Sequence, residues 1–148
     1  MNNARDFRYF ALIGLGANMK NEEKTFRMLV KKLLQDNRFT VHKSSPLLIN
    51  KAFGYEEQKD FTNAVLALST SLSPFSLLKA LLHYEKIFGR KRSFKNAPRV
   101  LDLDILYMWQ KNKSLKIRHK NLSLPHPGAL NRVSVFLPLG LLGERFGS

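Results

Sequence analysis

Asp102 and Asp104 stand at i and i+2 in Val100-Leu101-Asp102-Leu103-Asp104-Ile105-Leu106, and residues two apart in a β-strand share a face. Their Cα atoms would lie roughly 6.5 to 7 Å apart, while Leu101, Leu103 and Ile105 turn the other way into a core. Carboxylates so placed can hold hard divalent cations, since magnesium is usually bound by one or two carboxylates completed by water and substrate phosphates. A pair of such ions can clamp a phosphoryl displacement. The same alternation also describes any half-buried strand with a solvated outer face, so the pair alone leaves both readings open.

The surroundings add charge of the opposite sign. Arg90, Lys91, Arg92, Lys95 and Arg99 precede the carboxylates, and guanidinium forks beside metal ligands suit a small polyphosphate. The net charge of +14 also raises a nucleic-acid hypothesis, because Lys and Arg gain affinity by neutralising phosphates. A second cluster, Lys111, Lys113, Lys116, Arg118, His119 and Lys120, reads as the solvated face of a polar connection. An RNA-recognition sheet would carry a Lys/Arg-Gly-Phe/Tyr-Gly/Ala-Phe motif on a central strand, and this sequence has none.

These residues need a frame. A chain of 148 residues is enough for one real core and too short for two ordinary domains, so residues 1–148 are expected to form a single domain. Tyr9 to Leu15 reads as a buried strand, and Asn21-Glu22-Glu23 opens a helix whose Phe26, Leu29, Val30, Leu33 and Leu34 form one stripe. Thr40 to Leu48 is strand-like, an irregular stretch follows from Asn50 to Lys59, and Phe61 to Leu68 is another strand. Ser73-Pro74 supplies a cap and a proline for a second helix that runs to Phe88, where Gly89 can end it. Val100 to Tyr107 is the carboxylate strand. The order β-α-β-β-α-β with a C-terminal extension predicts an α+β, ferredoxin-like sheet with its helices on one face.

No cysteine is present, which excludes disulfides, zinc-thiolate sites and a cysteine nucleophile and suits a reducing cytoplasm. Tyr9 to Leu15 is too short to span a bilayer, and nothing after Met1-Asn2-Asn3-Ala4-Arg5-Asp6 resembles a secretory signal. A cytoplasmic location is expected.

Ala97-Pro98-Arg99-Val100-Leu101-Asp102-Leu103-Asp104-Ile105-Leu106, taken with Gly14-Leu15-Gly16-Ala17-Asn18, Asp60-Phe61-Thr62-Asn63-Ala64, Gly89-Arg90-Lys91-Arg92, Leu124-Pro125-His126-Pro127 and Asn131-Arg132, resembles the signature of the 6-hydroxymethyl-7,8-dihydropterin pyrophosphokinase family of folate biosynthesis. The segments keep that family's order and close to its spacing from about residue 9 to about residue 142. The resemblance implies the same ferredoxin-like architecture and transfer of pyrophosphate from ATP to a pterin hydroxymethyl group, releasing AMP. It implies two Mg²⁺ ions held by Asp102 and Asp104, with ATP as co-substrate, and a catalytic role for Arg90 and Arg92 as loop arginines that close over the phosphates. Glu85, Arg99, Ile105, His126 and Arg132 match nucleotide-side positions. Gly16, Asn50, Phe53, Phe61 and Asn63 match pterin-side positions, with Phe61 as a stacking wall and Asn63 reading the heterocycle edge. ATP and the pterin are the implied partners of a monomer that needs neither nucleic acid nor membrane.

Each role has an ordinary counterpart. His126 between two prolines reads equally as a surface histidine, Glu85 as a solvated residue late in a helix, Phe61 as core and Asn63 as a strand cap. The sequence also departs from the family. Ser134 stands where a second stacking aromatic is usual, with Phe136 two residues on; the loop tryptophan is missing around Lys95-Asn96; and Asn50-Lys51-Ala52-Phe53 replaces a Thr-Pro-Pro type segment. The alternative from another class is a ferredoxin-like nucleic-acid-binding module that uses its basic surface.

Overall fold

Tyr9–Ala17, strand β1, is apolar at nearly every position and buried from Ala11 onward, so it must have neighbours on both edges and cover on both faces. The computed structural model describes residues 7–17, 22–45, 48–50, 61–88 and 101–129. After β1 come α1 (Glu22–Gln35), β2 (Phe39–Ser44), β3 (Leu48–Asn50), β4 (Phe61–Thr70), α2 (Pro74–Ile87), β5 (Asp102–Gln110), β6 (Lys113–Ser114), β7 (Ile117–Arg118) and β8 (Ser123–Leu124). The main sheet has the order β2-β4-β1-β5-β6, with β3 also beside β4, and its pairs are antiparallel. The α+β, ferredoxin-like arrangement expected from the element order is present.

Two periodicities fill the two faces. The helical stripes Phe26, Leu29, Leu33 of α1 and Leu77, Leu81, Tyr84 of α2 share one core with Ala11, Ile13, Leu15, Ala64, Leu66, Leu103 and Ile105, so both helices cover the same face. The alternate residues Leu12, Val65 and Ala67 form a smaller cluster on the other face with Leu106 and Ala129.

Two local expectations are corrected, and one feature of the carboxylate strand is added. Thr40 to Leu48 is not one strand, because Ser45 leaves the ladder: its N–H donates to the Val65 carbonyl, and its Oγ accepts the Val65 N–H, each at 2.8 Å. A side chain thus replaces a backbone partner, and Leu48–Asn50 rejoins β4 as a separate strand. Ser73 occupies the N-cap position ahead of Pro74 but makes no side-chain cap bond; its Oγ donates to Ser76 Oγ instead. The carboxylate strand carries a bulge, since pairing with β1 passes from Leu12↔Tyr107 to Ile13↔Ile105. Leu106 is the extra residue, and the slip puts the consecutive Leu106 and Tyr107 on one face, against the smaller cluster, while Ile105 keeps to the helix-side core. Gly89, the expected helix stop, lies outside the described residues.

The two helices are tied together by a polar knot. Arg38 donates to Asp36 Oδ1 and Oδ2 at 3.0 and 2.7 Å, and the Tyr84 hydroxyl of α2 donates to Asp36 Oδ2 at 2.6 Å. The Arg38 hydrogen bond above all, helped by Tyr84, lowers the Asp36 carboxyl from 3.8 to about 2 against the opposing effect of burial. Burial, then the bond to Asp36, pushes the Tyr84 hydroxyl up to about 12. A carboxyl depressed by folding stabilises above its unfolded value, and that stability is lost as pH falls through the folded value. Urea denaturation should therefore show about 1 to 2 kcal/mol of stability disappearing between roughly pH 4 and pH 2, and Asp36→Asn should abolish that part of the acid slope.

Candidate active site

Gly14 and Gly16 of β1 lie between two strands that carry polar groups on the face of the sheet opposite the helices. Gly16 is paired with Asn63 of β4 on one edge and with Asp102 of β5 on the other, while Gly14 lies between Val65 and Asp104. Directly paired residues of antiparallel strands share a face. With no side chain on either glycine, a trough two residues long separates Asn63 from the carboxylates, roughly 10 Å across at the usual strand spacing. A Cβ on Gly16 would meet Asn63 Oδ1 at 3.1 Å, so the amide already lies over the glycine. Glycine allows this close approach, and a methyl group would require the Asn63 amide to give way.

Asp102 and Asp104 project from the far wall of this trough, half-buried, while Leu101, Leu103 and Ile105 are buried in the helix-side core. Among the described residues no group of three or more His, Cys, Asp or Glu gathers as a metal cluster. Two hard oxygen donors on one face, without nitrogen or sulfur ligands, fit a magnesium ion that takes its remaining ligands from water and phosphate.

The outer edge of β5 borders a second recess. A pocket of about 230 Å³ is lined by Asp104, Ile105, Leu78, Leu122 and Ser123, together with Lys120, Asn121, His126 and Pro127. Asp104 is therefore common to the trough and the pocket. The bulge seats the His126 loop, for the His126 N–H donates to the Leu106 carbonyl at 2.9 Å. The ring is fixed as well: the Gly128 N–H donates to His126 Nδ1 at 3.0 Å. With Nδ1 accepting, the neutral ring carries its proton on Nε2 and offers a donor to an oxygen in the pocket.

Glu85 is not solvated. It is 2% exposed, and its Oε2 accepts the Leu103 N–H at 2.7 Å. Leu103 lies between the two aspartates, on the edge of β5 that β6 reaches only at Trp109 and Gln110, so among the described residues α2, rather than a strand, supplies the acceptor there. Glu85→Ala should cost about 1 to 3 kcal/mol by leaving that N–H unpaired. Glu85→Gln, which keeps a carbonyl oxygen, should recover most of the loss in equilibrium denaturation.

Of the residues singled out in the sequence, Gly16, Asn63, Asp102 and Asp104 are brought together at the trough, and Ile105 and His126 at the adjoining pocket. Asn50 pairs through its backbone with Phe61 at the β3–β4 end of the same sheet. Phe53, Arg90, Arg92, Arg99, Arg132, Ser134 and Phe136 lie outside the described residues. Gly14 and Lys120 stand in segments the sequence singles out, the glycine motif and the second basic cluster, without being assigned to the site, and Asn121 and Ser123 are not singled out at all; these pocket residues sit in a run that reads as surface charge.

A family model described as 7,8-dihydro-6-hydroxymethylpterin-pyrophosphokinase matches residues 12–143. Curated relatives named 2-amino-4-hydroxy-6-hydroxymethyldihydropteridine pyrophosphokinase include one from Campylobacter jejuni, 56% identical over 140 residues that cover 95% of this chain and 87% of the relative. Another, from Helicobacter pylori, is 39% identical over 138 residues covering 92% and 82%. A third, from Bacillus subtilis, is 37% identical over 129 residues covering 87% and 75%.

Proposed function

The chain belongs to the 7,8-dihydro-6-hydroxymethylpterin-pyrophosphokinase family, and from that premise we propose that the trough takes the pterin, the pocket takes the nucleotide, and Asp102 and Asp104 hold two Mg²⁺ ions between them. The activity is ATP-dependent pyrophosphoryl transfer in folate biosynthesis. The observation that carries the division into subsites is the double membership of Asp104, which lines the nucleotide pocket while facing the glycine trough.

In this reaction the pterin hydroxymethyl oxygen forms a bond to the β-phosphorus of ATP as its proton passes to solvent, the bond from that phosphorus to the α-phosphate bridging oxygen breaks, and AMP leaves. Magnesium, when bound, neutralises phosphate charge and activates the attacking hydroxyl. The chain's own residues supply position and charge. Asn63 offers both a donor and an acceptor to the heterocycle edge, Gly16 admits the ring close to the backbone, and Phe61, with Asn50 and Phe53 nearby in sequence, walls the pterin. Ile105 gives the nucleotide an apolar contact, and Glu85 borders that side through the strand it anchors. His126 donates from Nε2 to a phosphate oxygen. Arg99 and Arg132 pair with phosphates, and Arg90 and Arg92 close over the moving charge, stabilising it most as it redistributes. Residues 1–148 act as one domain and a monomer, and a cytoplasmic location suits a chain without cysteine.

Separate subsites make a separable prediction. Calorimetric titration with a non-hydrolysable ATP analogue should show His126→Ala about tenfold weaker, His126→Gln nearly unchanged because its amide nitrogen can replace Nε2, and pterin affinity intact in both. Asn63→Ala should do the reverse, losing about tenfold for the pterin and little for the nucleotide. Joint loss of both ligands in either alanine variant would contradict the division.

A further inference from the structure

From Ile105 to Gly143 the sequence contains no Asp or Glu, and within that stretch Lys111, Lys113, Lys116, Arg118 and Lys120 are all exposed. Among the described residues none of these five forms an ion pair. Nor does the segment present them as a loose tail. Lys113 lies in β6 against Gln110, the Leu115 N–H donates to the Met108 carbonyl at 2.8 Å, and His119 and Leu122 exchange backbone hydrogen bonds. The His119 ring meets Phe75 of α2 edge-on, 5.1 Å between centroids.

The run leads to the pocket. Arg118 is paired with Ser123, a pocket-lining residue, and Lys120 lines the pocket itself. Leu115, beside Met108, is four strand residues from Asp104, or about 13 Å, whereas Lys111 is seven residues away, or about 23 Å. An ordered row of unpaired cations that ends at a nucleotide pocket creates a field gradient along which a polyphosphate is drawn.

We propose that the carboxylate-free ribbon Lys111 to Lys120 is an electrostatic approach surface for the nucleoside triphosphate, acting on its rate of association before contact is made. The proposal rests on the nucleotide reading of the pocket. It differs from a contact role in where the effect falls: long-range attraction changes association and its salt dependence, while dissociation and the transfer step keep their rates. Position along the ribbon sets the salt range. The screening length is about 30 Å at 0.01 M ionic strength and about 8 Å at 0.15 M, so Lys111 and Lys113 act only at low salt, whereas Lys116 and Arg118 keep part of their effect.

The test is stopped-flow binding of a fluorescent ATP analogue with Mg²⁺ to wild type, to Lys111→Glu/Lys113→Glu and to Lys116→Glu/Arg118→Glu, with circular dichroism and thermal unfolding as checks on the fold. At 0.01 M ionic strength the inner pair should lower the association rate about tenfold and the outer pair about threefold. At 0.15 M the outer-pair difference should vanish. Dissociation rate and turnover at saturating substrate should match wild type throughout. The corresponding Gln variants, which carry less risk to folding, should show the same ranking at smaller amplitude. Unchanged association rates overturn the proposal, as does an effect confined to dissociation or turnover. Displacement of the analogue by a short single-stranded RNA from wild type but not from the inner variant would give the ribbon to polynucleotides and overturn it equally. Failure of wild type to bind the analogue at all would instead strike at the nucleotide reading.

Discussion

Asp104→Asn is expected to fold with stability within about 1 kcal/mol of the parent and to lose about a thousandfold in turnover with Mg²⁺. The substitution keeps the size and strand pattern of a half-buried residue, so the sheet has little reason to respond. It removes one of two anionic oxygen donors, and metal ions contribute several kcal/mol to phosphoryl-transfer transition states. Because Asp104 lines both recesses, Mg²⁺-dependent tightening of nucleotide binding should weaken together with turnover. Steady-state kinetics across a Mg²⁺ titration, beside urea denaturation of the same preparation, separates the two. A variant that unfolds, or one whose activity is unchanged at limiting Mg²⁺, would speak for a merely structural strand.

Gly16→Val is expected to abolish pterin binding to the limit of calorimetry, a loss of up to about a hundredfold or more, while leaving a folded protein. Valine suits the middle of a strand, so backbone preference does not argue against it. Its Cβ, however, would stand at 3.1 Å from Asn63 Oδ1, and its methyls would enter the trough between Asn63 and Asp102. Gly16→Ala should be intermediate, since the Asn63 amide is the end of a side chain and can turn aside. Nucleotide binding at the β5 edge should survive both changes. Equal loss of both ligands would mean that the substitution disturbs β1 as a whole.

Much of this is legible in the sequence. The stripes of α1 and α2, the alternation of β5 and the common face of Asp102 and Asp104 follow from periods of 3.6 and 2, β4 reads from its unbroken apolar run, and element order then limits the topology. What escaped the sequence depended on partners distant in the chain. Glu85 looks solvated in its helix because nothing local reveals that the edge of β5 lacks an acceptor for Leu103. The Leu106 bulge is a mismatch between two strands, invisible in either alone, yet its carbonyl holds the His126 loop beside the pocket. Ser45 ends β2 by bonding Val65, twenty positions away. The ribbons β6, β7 and β8 are two residues each, too short for any period to register, and so Lys120 and Ser123 were hidden in a run of charge.

The most direct test is the identity of the nucleotide product. Incubation with ATP, Mg²⁺ and 6-hydroxymethyl-7,8-dihydropterin, followed in time by phosphorus NMR, should show AMP and a pterin diphosphate rising in equal amounts, with two coupled phosphorus signals on the pterin product and no AMP when the pterin is left out. Attack on the β-phosphorus moves both terminal phosphates together. ADP as the primary product, with a single phosphorus on the pterin, would contradict it.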